Sequence, residues 1–153
     1  MKMPNKLHYA AMVLILGFSV NASYAGNSVI PEVDIADLAV LAGDAAEKNK
    51  QLMIVYYQDE CAVCNDINLG TDLDDSYMLY KTDVSAGFNV ICPNGEEFAN
   101  NEFMFIKGIS KLPAVIFTDR LGNVAIVENA VNDKASLVSA AEKNRSHAIA
   151  ALQ

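Results

Sequence analysis

The stretch QLMIVYYQDECAVC, Gln51 to Cys64, places two cysteines two residues apart directly after an apolar run. Gln51 to Tyr57 is nearly continuous in apolar, β-forming side chains, the pattern of a strand covered on both faces. The following AVCNDINL predicts a short helix that ends at Gly70. The cysteines therefore fall where a strand hands over to a helix. At such a junction Cys61 and Cys64 admit three chemistries: a redox pair, half of a metal site, or a structural staple.

Working outward, Ser76 to Val84 predicts a second strand, and SAGFNVICPNGE a loop rich in turn residues. Glu96 to Lys107 reads as a helix carrying Phe98, Phe103, Phe105 and Ile106, stopped by Gly108. Its phenylalanines, with Met53, Met78 and Met104, are expected in the core. Ala114 to Thr118 predicts a third strand, DRLGN a hairpin turn, and Val124 to Glu128 a fourth strand. A final helix runs from a cap at Asn132 or Asp133 towards Ala150. It carries His147, read as a surface residue, and NRS, Asn144 to Ser146, which has the form of a glycosylation sequon. Upstream, DIADLAVLAGDAAEKNK predicts an amphipathic helix with Asp34 as N-cap and Ile35, Leu38, Leu41, Ala42 and Ala45 on one face. Strands alternating with helices predict parallel pairing, and the late hairpin adds an antiparallel edge. The fold class is α/β, a small mixed β-sheet flanked by helices.

The totals narrow the setting. The chain has 153 residues, one domain's length. Lys2 and Lys6 precede an apolar stretch, Ala10 to Val20, too short for a stable membrane anchor, and Ser23 and Ala25 suit a cleavage site. Residues 1–25 are read as a signal peptide cut after Ala25, and 26–153 as the mature domain. The cut removes two lysines and no acid, so the formal charge moves from −8 to −10. Such a surface repels nucleic acid, and no basic patch remains to bind it. After cleavage no apolar run is long enough for stable membrane insertion. A chain of this size buries a real core, so it does not need cysteines as staples. Export places it in the periplasm, where disulfides persist. The cysteine count is odd, so at least one of Cys61, Cys64 and Cys92 lies outside an internal pair.

These residues together resemble the thioredoxin superfamily. The resemblance rests on QLMIVYYQDECAVC, on GISKLPAVIFTDRLGNVAIV with its proline before the third strand and its Gly turn, and on the order of elements between them. It spans about residues 35 to 150. More narrowly, the chain looks like the exported bacterial thioredoxin-like proteins, some associated with sulfur oxidation, which carry a GFNVICPNG-like insertion. The resemblance implies a thioredoxin fold, a cis Leu112–Pro113 bond, and a substrate contact at Leu112 and Pro113. It departs from the family at Glu60, where a tryptophan is usual, at Ala62–Val63, which lacks Gly, Pro and His, and at Val55, where many members bury a carboxylate.

The chemistry follows from thiolate reactivity. Cys61, at a helix N-terminus, sits where unpaired N–H groups favour negative charge, and it is expected to be the more exposed sulfur. It is assigned as the nucleophile and Cys64, one turn deeper, as the resolving thiol; the pair serves as its own redox centre, with no other cofactor and no metal. A permanent staple is disfavoured, because so small a ring constrains little of the unfolded chain. Asp59, Glu60 and Asp66 oppose the helix end. A helix end is worth about 0.3–1 kcal/mol, and a charge about 5 Å away in water about 0.8 kcal/mol. This balance leans away from a strong oxidant and towards a reductant or isomerase-like role. The expected partners are exported proteins with cysteines and a membrane-embedded thiol electron donor. Cys92 is open between an accessory redox thiol, an intermolecular bridge and a half-buried thiol in the inserted loop. Two other functions compete: a copper- or zinc-binding module built on Cys61 and Cys64, with Cys92, His147 or a methionine as further ligand, and a redox-inactive protein-binding scaffold.

Overall fold

The structure, a computed structural model, describes residues 30–34 and 37–150, without the side chains of 147–150. The expected leader over 1–25, Ile35 and the His147 side chain lie outside the described residues. Helix α1 (Leu38–Glu47) is capped by Asp37, whose carboxylate accepts the Ala39 and Val40 N–H groups. The cap is thus three residues later than Asp34, because Asp37 is the acid with extended backbone and two free N–H groups within reach. Strand β1 (Gln51–Tyr57) leads through an exposed turn into α2 (Ala62–Asp66), shorter than the helix expected to reach Gly70. Strand β2 (Tyr77–Asp83) follows.

The segment read as a loop is instead a small hairpin. Strand β3 (Asn89–Ile91) pairs antiparallel with β4 (Glu97–Ala99) around the Cys92–Gly95 turn, and α3 (Asn100–Lys107) starts only after β4. Strands of only three residues carry almost no periodic signal, so the turn residues around them decide the sequence reading. Gly108 closes α3 in the left-handed conformation, as its position predicted. Strands β5 (Ala114–Thr118) and β6 (Val124–Glu128) form the late hairpin, and α4 (Lys134–Ala150) ends the described chain. The Asp133 carboxylate accepts the Ser136 N–H at 2.8 Å at the head of α4.

The main sheet has the order β2-β1-β5-β6. β1 and β2 are parallel, whereas β5 runs antiparallel to both β1 and β6. The expectation of parallel pairing therefore holds for one pair and fails for β1–β5. The reason is that the β3–β4 hairpin and α3 bring the chain back to the end of the sheet where β2 finished, so β5 begins beside the last residues of β1.

Strict alternation along β1 divides the core in two. Met53, Val55 and Tyr57 join Val115 and Phe117 beneath α2 and α4, with Cys61, Cys64 and Leu137 in the same cluster. Leu52, Ile54 and Tyr56 join Ala114 and Ile116 on the other face, beneath α1, α3 and the β3–β4 hairpin, with Leu38, Phe103 and Cys92. β1 is buried along almost its whole length because both faces are covered. Met78 and Met104 are only partly buried, and Phe105, expected in the core, is 86 % exposed. Two residues beyond Phe103, it points away from the face that α3 lays on the sheet.

The β5–β6 turn shows a close approach that its sequence only hinted at. Gly122 has φ +92°, and a Cβ there would lie 2.5 Å from the Leu38 carbonyl oxygen. The hairpin rests directly on the first turn of α1, and only glycine fits.

Candidate redox site

Cys61 is the N-cap of α2, and the Cys64 N–H donates to the Cys61 carbonyl at 3.1 Å. The strand-to-helix junction thus brings the sulfurs within one turn, with 5.2 Å between their Cα atoms, and they form a disulfide. Gln58, Asp59, Glu60 and Ala62 around them are exposed. The cysteines themselves turn inward: Cys61 is 4 % exposed and Cys64 7 %. This corrects the expectation that Cys61 would be the more exposed of the two. At the N-cap its side chain follows the same apolar face as Val63 and Cys64 into the core under α4.

The second element of the expected site lies at the same end of the sheet. Tyr56 pairs with Ala114, so Pro113 stands one residue beyond the β1–β5 ladder, at the end from which the cysteine turn leaves β1. The Leu112–Pro113 peptide is cis. Leu112 is partly buried against the α1/α3 core and borders a cleft of about 490 Å³ shared with Gln58, Asn100, Met104, Phe105 and Ser110. Asn100 is buried there, and its Oδ1 has no hydrogen-bond partner.

Sequence reading missed the residue that holds this loop in place. The Asn129 Oδ1 accepts the Ser110 N–H at 2.8 Å and the Lys111 N–H at 3.1 Å, while its Nδ2 donates to the Gly108 carbonyl at 3.0 Å. The Ala130 N–H donates to Lys111 O, and the Val131 N–H to Pro113 O. One asparagine after β6 therefore pins the approach to Pro113 at three points. Its only sequence signal is an Asn directly after a strand, which reads as an ordinary turn residue.

Electrostatics around the pair are spare. Among the described residues no Asp or Glu is buried, and Val55, at the family's carboxylate position, lies fully buried on the cysteine face. Tyr57, in the same cluster, donates its hydroxyl to Glu32 at 2.9 Å beneath Lys81, whose Nζ lies 5.7 Å from the ring centre. Burial, then the hydrogen bond to Glu32, push the Tyr57 pKa up to about 12. It holds its proton at neutral pH and is not a base.

Cys92 belongs elsewhere. It is free, 7 % exposed, and lies in the core on the opposite face of the sheet, so its thiol is not part of the cluster around Cys61 and Cys64. Burial pushes its pKa up, against a smaller opposing pull from Lys107. Of the further metal ligands expected, Cys92 thus stands across the sheet from the pair. Among the described residues there is no group of three or more His, Cys, Asp or Glu side chains able to hold a metal. None of the described helices is long and apolar enough to cross a membrane. Asn144 of the NRS triplet is buried at 2 %; its Nδ2 donates to Gln51 Oε1 at 2.7 Å and to the Tyr77 hydroxyl at 3.2 Å. It is a packing residue, inaccessible to glycan transfer.

No protein-family model matches the chain, and no curated protein does. Solved structures similar to it include a thioredoxin-fold protein from Helicobacter pylori, at 13 % identity and TM-score 0.42 over 69 % of this chain and 70 % of that one. A variant thioredoxin from Halobacterium salinarum gives 14 % and 0.44, over 74 % and 89 %. Oxidised mitochondrial thioredoxin 3 from Saccharomyces cerevisiae gives 16 % and 0.41, over 75 % and 92 %. With its mixed sheet in the order β2-β1-β5-β6, flanked by helices on both faces, this chain has the thioredoxin fold. At the β1–α2 junction it carries a CxxC disulfide between Cys61 and Cys64.

Proposed function

We propose that the chain is an exported thiol–disulfide oxidoreductase that exchanges disulfides with cysteines of other exported proteins in the periplasm. The observation that carries this reading is the Cys61–Cys64 disulfide at the β1–α2 junction, at the same end of the sheet as Leu112 and Pro113. In the reducing direction the Cys61 thiolate attacks a sulfur of the substrate disulfide, forming a mixed disulfide and releasing one substrate thiolate. The Cys64 thiolate then attacks the Cys61 sulfur. The Cys61–Cys64 disulfide forms, the second substrate thiolate leaves, and two electrons have passed to the substrate. A membrane-embedded dithiol returns the pair to its reduced form, becoming a disulfide itself. Leu112 and Pro113 line the substrate's approach. Because both cysteines are buried while Gln58–Glu60 are exposed, exchange requires a local opening of that turn.

The direction is reductive or isomerising. The α2 helix has only five residues, its neighbourhood holds Asp59, Glu60 and Asp66, and no His or basic residue stands between Gln58 and Asn68 to stabilise a thiolate. A reduction potential above about −150 mV, near the strong-oxidant end of the scale, overturns this direction. The activity itself is tested by insulin reduction with the wild type and Cys61→Ala. The wild type reduces insulin and the variant does not; equal background rates for both overturn the proposal. The burial of both cysteines favours one competing reading, a thioredoxin-fold binding scaffold without turnover, and equal background rates are the outcome it predicts.

A further inference from the structure

The two edges of the main sheet are treated differently. The outer edge of β2 is covered: the Lys81 N–H donates to Pro31 O at 3.0 Å, and the Val33 N–H donates to Lys81 O at 3.0 Å. β6, at the other edge, makes no backbone hydrogen bond on the side away from β5 among the described residues. Its sequence, VAIVE, has neither proline nor lysine, the usual devices that stop an edge strand from pairing. The one irregularity is a bulge at Ala125, between the Phe117–Ile126 and Thr118–Val124 pairs, and it leaves Ile126 to Glu128 in regular register.

A cleft of about 930 Å³ lies along this strand and opens on both faces of the sheet. On the α1 face it is floored by Ala42, Ala46 and Thr118; on the α4 face it is bounded by Lys143 and Asn144. The Thr118 Oγ1 is fully buried without a partner. A cleft that wraps around an open strand has the shape filled by one further strand, whose alternate side chains fall to opposite faces.

We infer that β6 pairs antiparallel with the β6 of a second copy of this chain across a two-fold axis, joining two four-stranded sheets into one of eight. A two-fold interface must complement itself, and the cleft carries both signs of charge: Arg120 and Lys143 against Asp119 and Glu128. Glu128 pairs with Lys143 of its own chain, whereas Arg120 has no ion pair among the described residues. An antiparallel two-fold pairing brings Glu128 of each copy to the Arg120–Val124 end of the other. The small Ala42 and Ala46 side chains leave room for what the second strand adds. With a net charge of −8 the copies repel at long range, so local compensation of this kind is needed for them to meet.

The test is sedimentation of the full chain across the micromolar range, compared with Ala125→Lys, Arg120→Glu and the charge-swapped variant Arg120→Glu/Glu128→Arg/Lys143→Glu. The wild type sediments as a dimer and Ala125→Lys as a monomer with an unchanged thermal midpoint. Arg120→Glu weakens the dimer about tenfold, the loss of two symmetric ion pairs, and the charge-swapped variant recovers it. A wild type that stays monomeric overturns the inference, as does association that survives Ala125→Lys or a charge-swapped variant no tighter than Arg120→Glu. Because Ala125 is exposed and Arg120 lies on the surface, the single variants fold; the charge-swapped variant carries Lys143→Glu so that position 128 keeps an opposite charge beside it, and the thermal melt of each verifies the fold.

Discussion

One sheet separates two kinds of cysteine. Under α2 and α4, Cys61 and Cys64 stand at the start of a helix, close a disulfide, and are ringed by exposed turn residues. Under α1 and α3, Cys92 is as deeply buried, lies beside Tyr56 in a tight hairpin, and has its thiol held protonated by burial. Burial is nearly equal on the two sides, so it is not what distinguishes them. The difference is the backbone. A helix start offers unpaired N–H groups and a partner one turn away, whereas the β3–β4 hairpin spends its N–H groups on its own ladder and turn.

Breaking the comparison starts with the pair. Cys61→Ala is expected to abolish disulfide exchange, reducing insulin turnover to that of buffer, while Cys92→Ala leaves the rate within about twofold. Loss of turnover in the Cys92 variant would erase the division between the faces. Gly122→Ala comes next. The added Cβ meets the Leu38 carbonyl, so the α1 layer must shift, and a loss of about 2–3 kcal/mol is expected in urea unfolding. It also sharpens the contrast: alkylation of Cys92 accelerates as α1 loosens, whereas the potential of the Cys61–Cys64 pair stays put.

Asn129→Ala acts at the other side of the division. Three hydrogen bonds to the Gly108–Lys111 loop are lost, costing about 1–2 kcal/mol and slowing exchange several-fold. Asn129→Asp keeps both accepted bonds but turns a carboxylate oxygen to the Gly108 carbonyl, so it recovers part of the rate, which a merely destabilising change would not do. The smallest effect is the acid response, shared by both faces. Hydrogen bonds from Ser136 to Asp133 and from Ser85 to Asp83 hold these carboxyls below their ordinary 3.8. Their folded pKa values lie below the unfolded ones, so their contribution is present above about pH 4 and lost as pH falls through the lower folded values. The thermal midpoint is expected to be flat from pH 7 to about 4 and to decline below it; a midpoint that rises on acidification contradicts the assignment.

How much of this was legible follows from the range of each interaction. β1, β5 and β6 were readable to the residue, because runs of β-branched and aromatic side chains bounded by turn residues have few other uses. The CxxC junction and the Gly108 stop are equally local. The β3–β4 hairpin was not readable, since its strands are held by pairing and by Val90 and Cys92 reaching a core made from distant segments. Nothing in the local sequence marks Asn129 or Asn144 as structural. Each became structural only because another part of the chain presented backbone or side-chain groups to it.

Taken alone, the sequence determined the strands β1, β5 and β6, and that two cysteines share one turn at the end of the first of them; side-chain shape and backbone preference act over a few residues, and that is enough for both. The tertiary structure decided the antiparallel sense of β5, the placing of Cys92 across the sheet from the pair, the inward turn of Cys61, and which edge of the sheet stays open. Each of these depends on which distant segment covers which face, and burial is a property of the packed assembly rather than of any residue in it.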